Sequence, residues 1–234
     1  MKRMLLFIAG GFRLARRDPM LLLLLFAPWL AGAALGLGLP LLRPLLLQAL
    51  GFDLAPWYPL ADILLLMLTP MMAGMLSGFL MLDERDEGVG GYFRVTPAGG
   101  MVYLVSRLAL PVLWGVVIAP PLMALFSLSH PDVLRVLAIS LVGGIAAASM
   151  ALLLLAFAGN KVEGLAVSKM MGLLMLPCVL PFFTDSPWAM VAGFFPAYWM
   201  GAAMDGPWWT VLAGCVVGFL WLWVLYGRNE RRQG

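Results

Sequence analysis

Charge is what this sequence has least of. Only 12% of its 234 residues are Asp, Glu, Lys or Arg, about half the share usual in soluble domains. There is one histidine, His130, and there are two cysteines, Cys178 and Cys215. No CxxC pair or Cys/His cluster exists, which removes the common metal-site spacings. Both cysteines lie in apolar runs, where a free thiol behaves as a small hydrophobe. A net charge of +3 offers no basic surface for nucleic acid. No G-x-x-x-x-G-K-[ST] loop is present, so ATP-driven work would need a nucleotide bound by another chain. No charged residue falls near the middle of any long apolar run: Asp62 and Arg135 lie at outer ends, Arg107 and Lys169 at inner ends. Ion-coupled carriers and charged-ring channels place such groups at membrane depth, so their absence argues against both.

What is present is grease. Hydrophobic residues make up 63% of the chain, and the mean hydropathy is +0.97. One water-facing globule cannot bury that excess. The sequence predicts an all-α membrane protein with six transmembrane helices, at 20–39, 59–82, 107–128, 135–158, 165–184 and 207–227, each near the roughly 20 residues that a bilayer core requires. Five basic residues precede the first span (Lys2, Arg3, Arg13, Arg16, Arg17), and Arg85, Arg94 and Arg107 lie between the second and third. Lys161 and Lys169 bracket the turn after the fourth, and Arg228, Arg231 and Arg232 follow the last. Thirteen of the fifteen basic residues thus share one side, and Arg43 and Arg135 take the other. The positive-inside rule then expects a multi-pass protein of the cell (plasma or inner) membrane with both termini cytoplasmic.

Three segments do not span. Residues 2–17 put Lys2, Arg3, Arg13, Arg16 and Arg17 on one helical face opposite Met4, Phe7, Ile8 and Leu14. They read as an amphipathic helix on the cytoplasmic membrane surface or as a topology anchor; the apolar run after them is too long for a signal peptide. Asp18-Pro19 opens the first span. Residues 185–206 are apolar but interrupted by Gly193, Pro196 and Gly201, and a span there would carry the basic C-terminus outside. They read as a re-entrant or outer-surface helical hairpin, with Trp188, Tyr198, Trp199, Trp208 and Trp209 as an interfacial belt. Ser129-His130-Pro131-Asp132 reads as the cap of the fourth span, Ser129 at the N-cap; His130 is the ordinary histidine of such a turn. The chain forms a single domain, 1–234.

The exception to the shortage of charge is one island, Asp83-Glu84-Arg85-Asp86-Glu87-Gly88, running on to Arg94-Val95-Thr96-Pro97 and Tyr103-Leu104-Val105-Ser106-Arg107. On its own such a run is a solvated helix end. With Gly159-Asn160-Lys161-Val162-Glu163-Gly164-Leu165-Ala166 and the six-span layout, the chain resembles permease subunits of type-2 ABC exporters, the small drug-export kind. The resemblance implies a coupling helix at 88–98, inside a cytoplasmic loop 83–106, that docks on a separate ABC ATPase subunit. Tyr92, Phe93, Arg94, Thr96 and Pro97 would lie in that helix, Glu84, Arg85 and Glu87 in a charged gate beside it, and Asn160, Lys161 and Glu163 in a second, smaller contact. ATP and Mg would be held by the partner, and no cofactor by this chain, which would not be an enzyme itself. A second permease copy and membrane lipid would complete the assembly. Val89, Gly90 and Gly91 depart from the pattern, since glycine costs about 1 kcal/mol in a helix interior; the helix is expected to start at Tyr92 or to order only when the ATPase docks.

The resemblance also implies a path for an apolar or amphipathic cargo between two copies, lined by spans one, two and five. Met67, Met71 and Met75 share one face of span two, Thr69-Pro70 is expected to break that helix, and Pro177 and Pro181 to break span five. The face reads as a flexible binding wall or as ordinary packing. An intramembrane hydrolase is the rival enzyme reading, through Ser77 in Gly74-Met75-Leu76-Ser77-Gly78. The spacing is not G-x-S-x-G, and His130 belongs almost a bilayer away; small residues there let helices approach closely. The remaining alternative to an exporter permease is a membrane scaffold or immunity-type protein that binds a cytoplasmic partner at the same loop.

Overall fold

The computed structural model describes residues 18–88, 99–184 and 186–233. The amphipathic segment 2–17 and most of the coupling segment, including Tyr92, Phe93, Arg94, Thr96 and Pro97, lie outside the described residues. Among the described residues the elements are helical throughout: α1 (Pro19–Leu50), a 3-10 turn (Ala55–Trp57), α2 (Tyr58–Asp86), α3 (Gly99–Phe126), α4 (Val133–Phe157) and α5 (Lys161–Met175). The last continues as a 3-10 tail (Leu176–Phe182) and is followed by a 3-10 segment (Pro187–Phe194), α6 (Pro196–Asp205) and α7 (Trp209–Gln233). Six stretches are long and apolar enough to cross a membrane, matching the six expected spans.

Sequence signals explain most of the boundaries. Asp18 caps α1, its carboxylate accepting from Met20 N–H at 2.8 Å, and Pro19 opens the first turn. The helix then outruns its expected end at residue 39. It continues through Pro40 and Pro44 to Leu50, where Gly51, at φ 65°, closes it by donating to Leu47 O. Each internal proline removes one hydrogen bond but is no stop signal as strong as a left-handed glycine. The resulting 32-residue helix is about 48 Å long. Span three likewise starts earlier than expected, at Gly99, so Arg107 lies within α3 rather than at its edge.

Thr69-Pro70 does not break α2, which is continuous through it. Thr69 Oγ1 donates to Leu65 O at 3.1 Å. The Pro70 ring fills a notch where Gly115 of α3 and Gly143 of α4 lack side chains; a Cβ on Gly143 would come within 2.9 Å of Pro70 Cγ. In span five Pro177 and Pro181 do change the geometry, from α to 3-10.

The centre is α2 against α4. Their most apolar stretches are 78% buried, against 22% for α1, span five and α7. Small residues allow the contact, as the sequence suggested for 74–78. A Cβ on Gly74 would fall 2.6 Å from Ala147 O, and one on Gly78 would fall 2.7 Å from Leu154 Cδ2. Close backbone approach of this kind is the usual basis of helix association in lipid, where burial of apolar surface gives no drive.

Residues 186–206 form two short pieces, the 3-10 segment and α6, meeting at Phe195. α6 packs Ala197, Met200, Ala203 and Met204 inward, against α4, α7 and the tail of span five. The α4 cap differs from expectation. Asp132, not Ser129, is the N-cap and makes no side-chain cap bond. Ser129 instead gives its N–H to Asp62 at 2.7 Å, and its hydroxyl to the same carboxylate. A buried acceptor from α2 has displaced the local capping role.

Candidate functional site

At one end of the bundle the beginning of α1, the end of α2, the first turns of α3 and the α4–α5 turn converge on a set of charges. Lys161, first residue of α5, places its ammonium 2.8 Å from Asp18 Oδ2 and 3.0 Å from Asp83 Oδ2. Its N–H donates to Asp86 Oδ2 at 3.3 Å. One residue thus ties three helices together. The hydrogen bond from Lys161 is the largest influence on Asp18 and holds its carboxyl below the usual carboxylate range, against an opposing push from burial.

Glu84 turns inward, where Arg107 donates to it from Nε at 3.1 Å and from Nη2, and the Tyr103 hydroxyl donates to the same carboxylate. The Arg107 guanidinium also lies over the Tyr103 ring, 5.8 Å from its centroid. Its backbone carbonyl accepts from Ser77 Oγ at 2.5 Å, the role of the serine in the hydrolase reading; His130 lies in the turn at the other end of α3. Arg85 reaches from α2 to the C-terminus of α4, donating to Leu155 O at 3.2 Å and to Ala158 O. A cation on the last carbonyls of a helix is favourably placed.

The α4–α5 turn is a variant of the capping box, with the glutamate on the N–H one residue before the N-cap. Asn160 Oδ1 accepts from Glu163 N–H at 2.9 Å, and Glu163 Oε2 accepts from Gly159 N–H at 2.6 Å. Its spacing, Asn-x-x-Glu before an apolar run, was readable in the sequence. Val162 stands 77% exposed between the two caps, and Glu87 is exposed at the end of α2.

The structure therefore brings the described members of the two expected coupling segments to one end of the molecule. Glu84 and Arg85 are engaged within the chain, whereas Glu87, Asn160 and Glu163 lie at the surface. Nothing in the spacing pointed to Asp18 as the partner of Lys161, or to Tyr103 and Arg107 as partners of Glu84. Met67, Met71 and Met75 are buried in the core of the single chain with Thr69. Their face meets span five: Met67 Sδ is 3.3 Å from Cys178 Sγ, and a Cβ on Gly172 would be 3.7 Å from Met71 Cε. No group of three or more His, Cys, Asp or Glu among the described residues is arranged to hold a metal.

Residues 11–226 match the family described as "Fluoroquinolones export permease protein Rv2686c-like". Two relatives, the fluoroquinolones export permease proteins MT2760 and Rv2686c of Mycobacterium tuberculosis (strains CDC 1551 / Oshkosh and ATCC 25618 / H37Rv), are each 36% identical over 229 residues, covering 93% of this chain and 90% of theirs. No solved structure matches. With six membrane-length helices and a family match over nearly its whole length, the chain belongs to the Rv2686c-like family of fluoroquinolone export permeases.

Proposed function

We propose that this chain is the membrane-spanning subunit of an ATP-driven drug exporter whose ATPase is a separate protein. The observation that carries the reading is the convergence of the 83–87 and 159–163 segments at one end of the bundle, joined through Lys161. Their exposed members, Glu87, Asn160, Val162 and Glu163, offer a mixed polar and apolar surface of the kind a partner can grip. The loop between α2 and α3, with Tyr92, Phe93 and Arg94, supplies the aromatic and arginine anchors that dominate interface energetics. In this reading Thr96 and Pro97 belong to the same docking segment. ATP and Mg belong to the partner.

The concentration of Lys and Arg supports placing this end, and both termini, in the cytoplasm. Substrates are amphipathic drugs, and the relatives' names favour fluoroquinolones. The exposed apolar faces of α1 and span five, among them Leu30, Leu37, Met170 and Leu173, suit a second permease copy with lipid around the pair. The Met67–Met71–Met75 face would reach cargo only if span five moves off α2, since span five packs over it.

The test is co-expression with a co-purifying ATPase in proteoliposomes. Substrate-stimulated ATP hydrolysis should be lost in Phe93→Asp and Arg94→Glu while the permease still folds. Unchanged complex formation and hydrolysis would sink the coupling assignment. A partner that binds this loop without any drug-dependent turnover would favour the scaffold reading instead. For topology, a single cysteine at Ala189 should label from outside and one at Gly99 from inside.

A further inference from the structure

At the end of the bundle away from Lys161, a cavity of about 390 Å³ opens between the tail of span five, the 3-10 segment after it and α6. Its size falls in the range of small-molecule sites, about 300–1,000 Å³. One wall is the face of α6 that does not pack inward. Tyr198, Ala202 and Asp205 follow one another at spacings of four and three residues, so they stand in one row, and all three line the space. Phe182 and Met190 face them. Behind the row the α6 backbone is pressed onto span five: a Cβ on Gly201 would come within 1.8 Å of Cys178 O. No side chain can occupy that floor.

Among the described residues that line the cavity, Asp205 is the charged one. It is the last residue of α6, at the negative end of the helix dipole, where a carboxylate is ordinarily disfavoured. It has no ion pair among the described residues. The arginine nearest in the fold, Arg135, is committed elsewhere. Its Nη1 donates to the carbonyls of Ala203, Met204 and Gly206 at 3.1, 2.7 and 3.1 Å, and its guanidinium lies over the Trp208 ring. Arg135 thus satisfies the main chain at the end of α6 and leaves the Asp205 side chain to the cavity. The Tyr198 ring is steadied edge-on against Trp199, with centroids 5.5 Å apart, and aromatic faces attract cations as well as apolar bodies.

We propose that this cavity binds amphipathic organic cations, an aromatic or apolar body carrying a protonated amine, with the amine on Asp205 and the body between Tyr198, Phe182 and Met190. In the exporter reading, on which its physiological role rests, it is a release-side station within one chain. It lies at the opposite end of the bundle from the coupling segments.

The binding itself is tested on the full-length chain alone, in phosphatidylcholine nanodiscs, with a fluorescent dansyl-alkylamine and its N-acetylated form, which differ in charge. The amine should bind about tenfold more tightly, the effect of one charge contact. Asp205→Asn should abolish that preference, Asp205→Glu should keep it, and Ala202→Trp, which fills the space, should remove binding of both probes. Asp53→Asn, at a half-buried carboxylate paired with Arg43 in the α1–α2 loop, should leave the preference between the probes unchanged. Thermal unfolding of each variant separates lost binding from lost fold. Equal affinity for the two probes, or a preference that survives Asp205→Asn, overturns the proposal. Displacement of the amine by phosphatidylethanolamine, but not by a fluoroquinolone, would make the occupant a lipid headgroup and overturn the cargo assignment. Because no ATPase is present, failure here leaves the Phe93 and Arg94 test intact, and failure there leaves these affinities intact.

Discussion

The two buried carboxylates of α2 sit at its opposite ends and are satisfied by different chemistry. Asp62, 1% exposed, takes chiefly main chain, the N–H groups of Leu128 and Ser129 at 3.0 and 2.7 Å, with the Ser129 hydroxyl added. Glu84, 7% exposed, takes the side chains of Arg107 and Tyr103. A main-chain partner is fixed by the backbone that carries it. A side-chain partner can change rotamer and be replaced. The Asp62 end is a static joint that pins the α3–α4 turn to α2. The Glu84 pair, with the Lys161 ion pairs beside it, is held by side chains that can exchange partners. Arginine does not follow the contrast: Arg135 at the Asp62 end binds three carbonyls of one helix terminus, and Arg85 at the Glu84 end binds two of another.

The sharpest way to break this comparison is Arg107→Ala. It would leave Glu84 buried without its counter-ion, and stability in detergent should fall by about 3–5 kcal/mol. Glu84→Gln combined with Arg107→Met should restore most of that. A loss below about 1 kcal/mol, the scale of exposed pairs, would erase the distinction between this end and an ordinary surface. Next comes Asp62→Ala, which orphans the donors of the 128–129 turn and should cost about 1–3 kcal/mol. Proteolysis or hydrogen exchange should show that turn loosened while the Glu84 end stays protected.

Asn160→Ala removes the α5 cap and should cost about 1 kcal/mol, read from thermal unfolding; a fully silent substitution would mean that Glu163 alone holds the turn. The smallest thermodynamic effect belongs to Lys161→Ala, about 1 kcal/mol or less, because its side chain and those of both partners are about one-third exposed and solvent screens them. Its pH dependence is the informative part. Asp18 has a lowered folded-state pKa, chiefly through Lys161. The contact therefore contributes fully above the ordinary carboxylate pKa of about 3.9 and is lost as pH falls through the lower folded value. The gap between wild type and Lys161→Ala should hold steady at neutral pH and close below about pH 4. A gap of equal size at both extremes would mean the lysine acts through packing.

How much could be read beforehand depends on sequence separation. The six spans followed from apolar runs, and a close helix approach at Gly74 and Gly78 from their small size, because composition and small-residue spacing are local; that α4 is the partner there did not. Pro177 and Pro181 marked the 3-10 tail for the same reason. Errors arose where a distant group intervened. Ser129 looked like a cap, but Asp62, 67 residues away, took its donors. Thr69-Pro70 looked like a break, but glycines of two other helices made room for the ring. The candidate coupling residues shared this limit: Asn160 and Glu163 cap their own turn, while the partner of Glu84 lies 23 residues on and that of Lys161 lies 143 back.

The sequence by itself determined that the chain is a bundle of membrane-length helices and set the expectation that most of its basic residues share one side. Lipid admits only backbone that satisfies its own hydrogen bonds, and hydropathy and Lys/Arg placement are properties of the unfolded string. Only the tertiary structure decided which charges face each other, which methionines are buried, and that a carboxylate at the end of α6 stands beside an open cavity. Those outcomes depend on the packing of helices distant in sequence, and no local pattern records which side chains that packing brings within hydrogen-bonding reach.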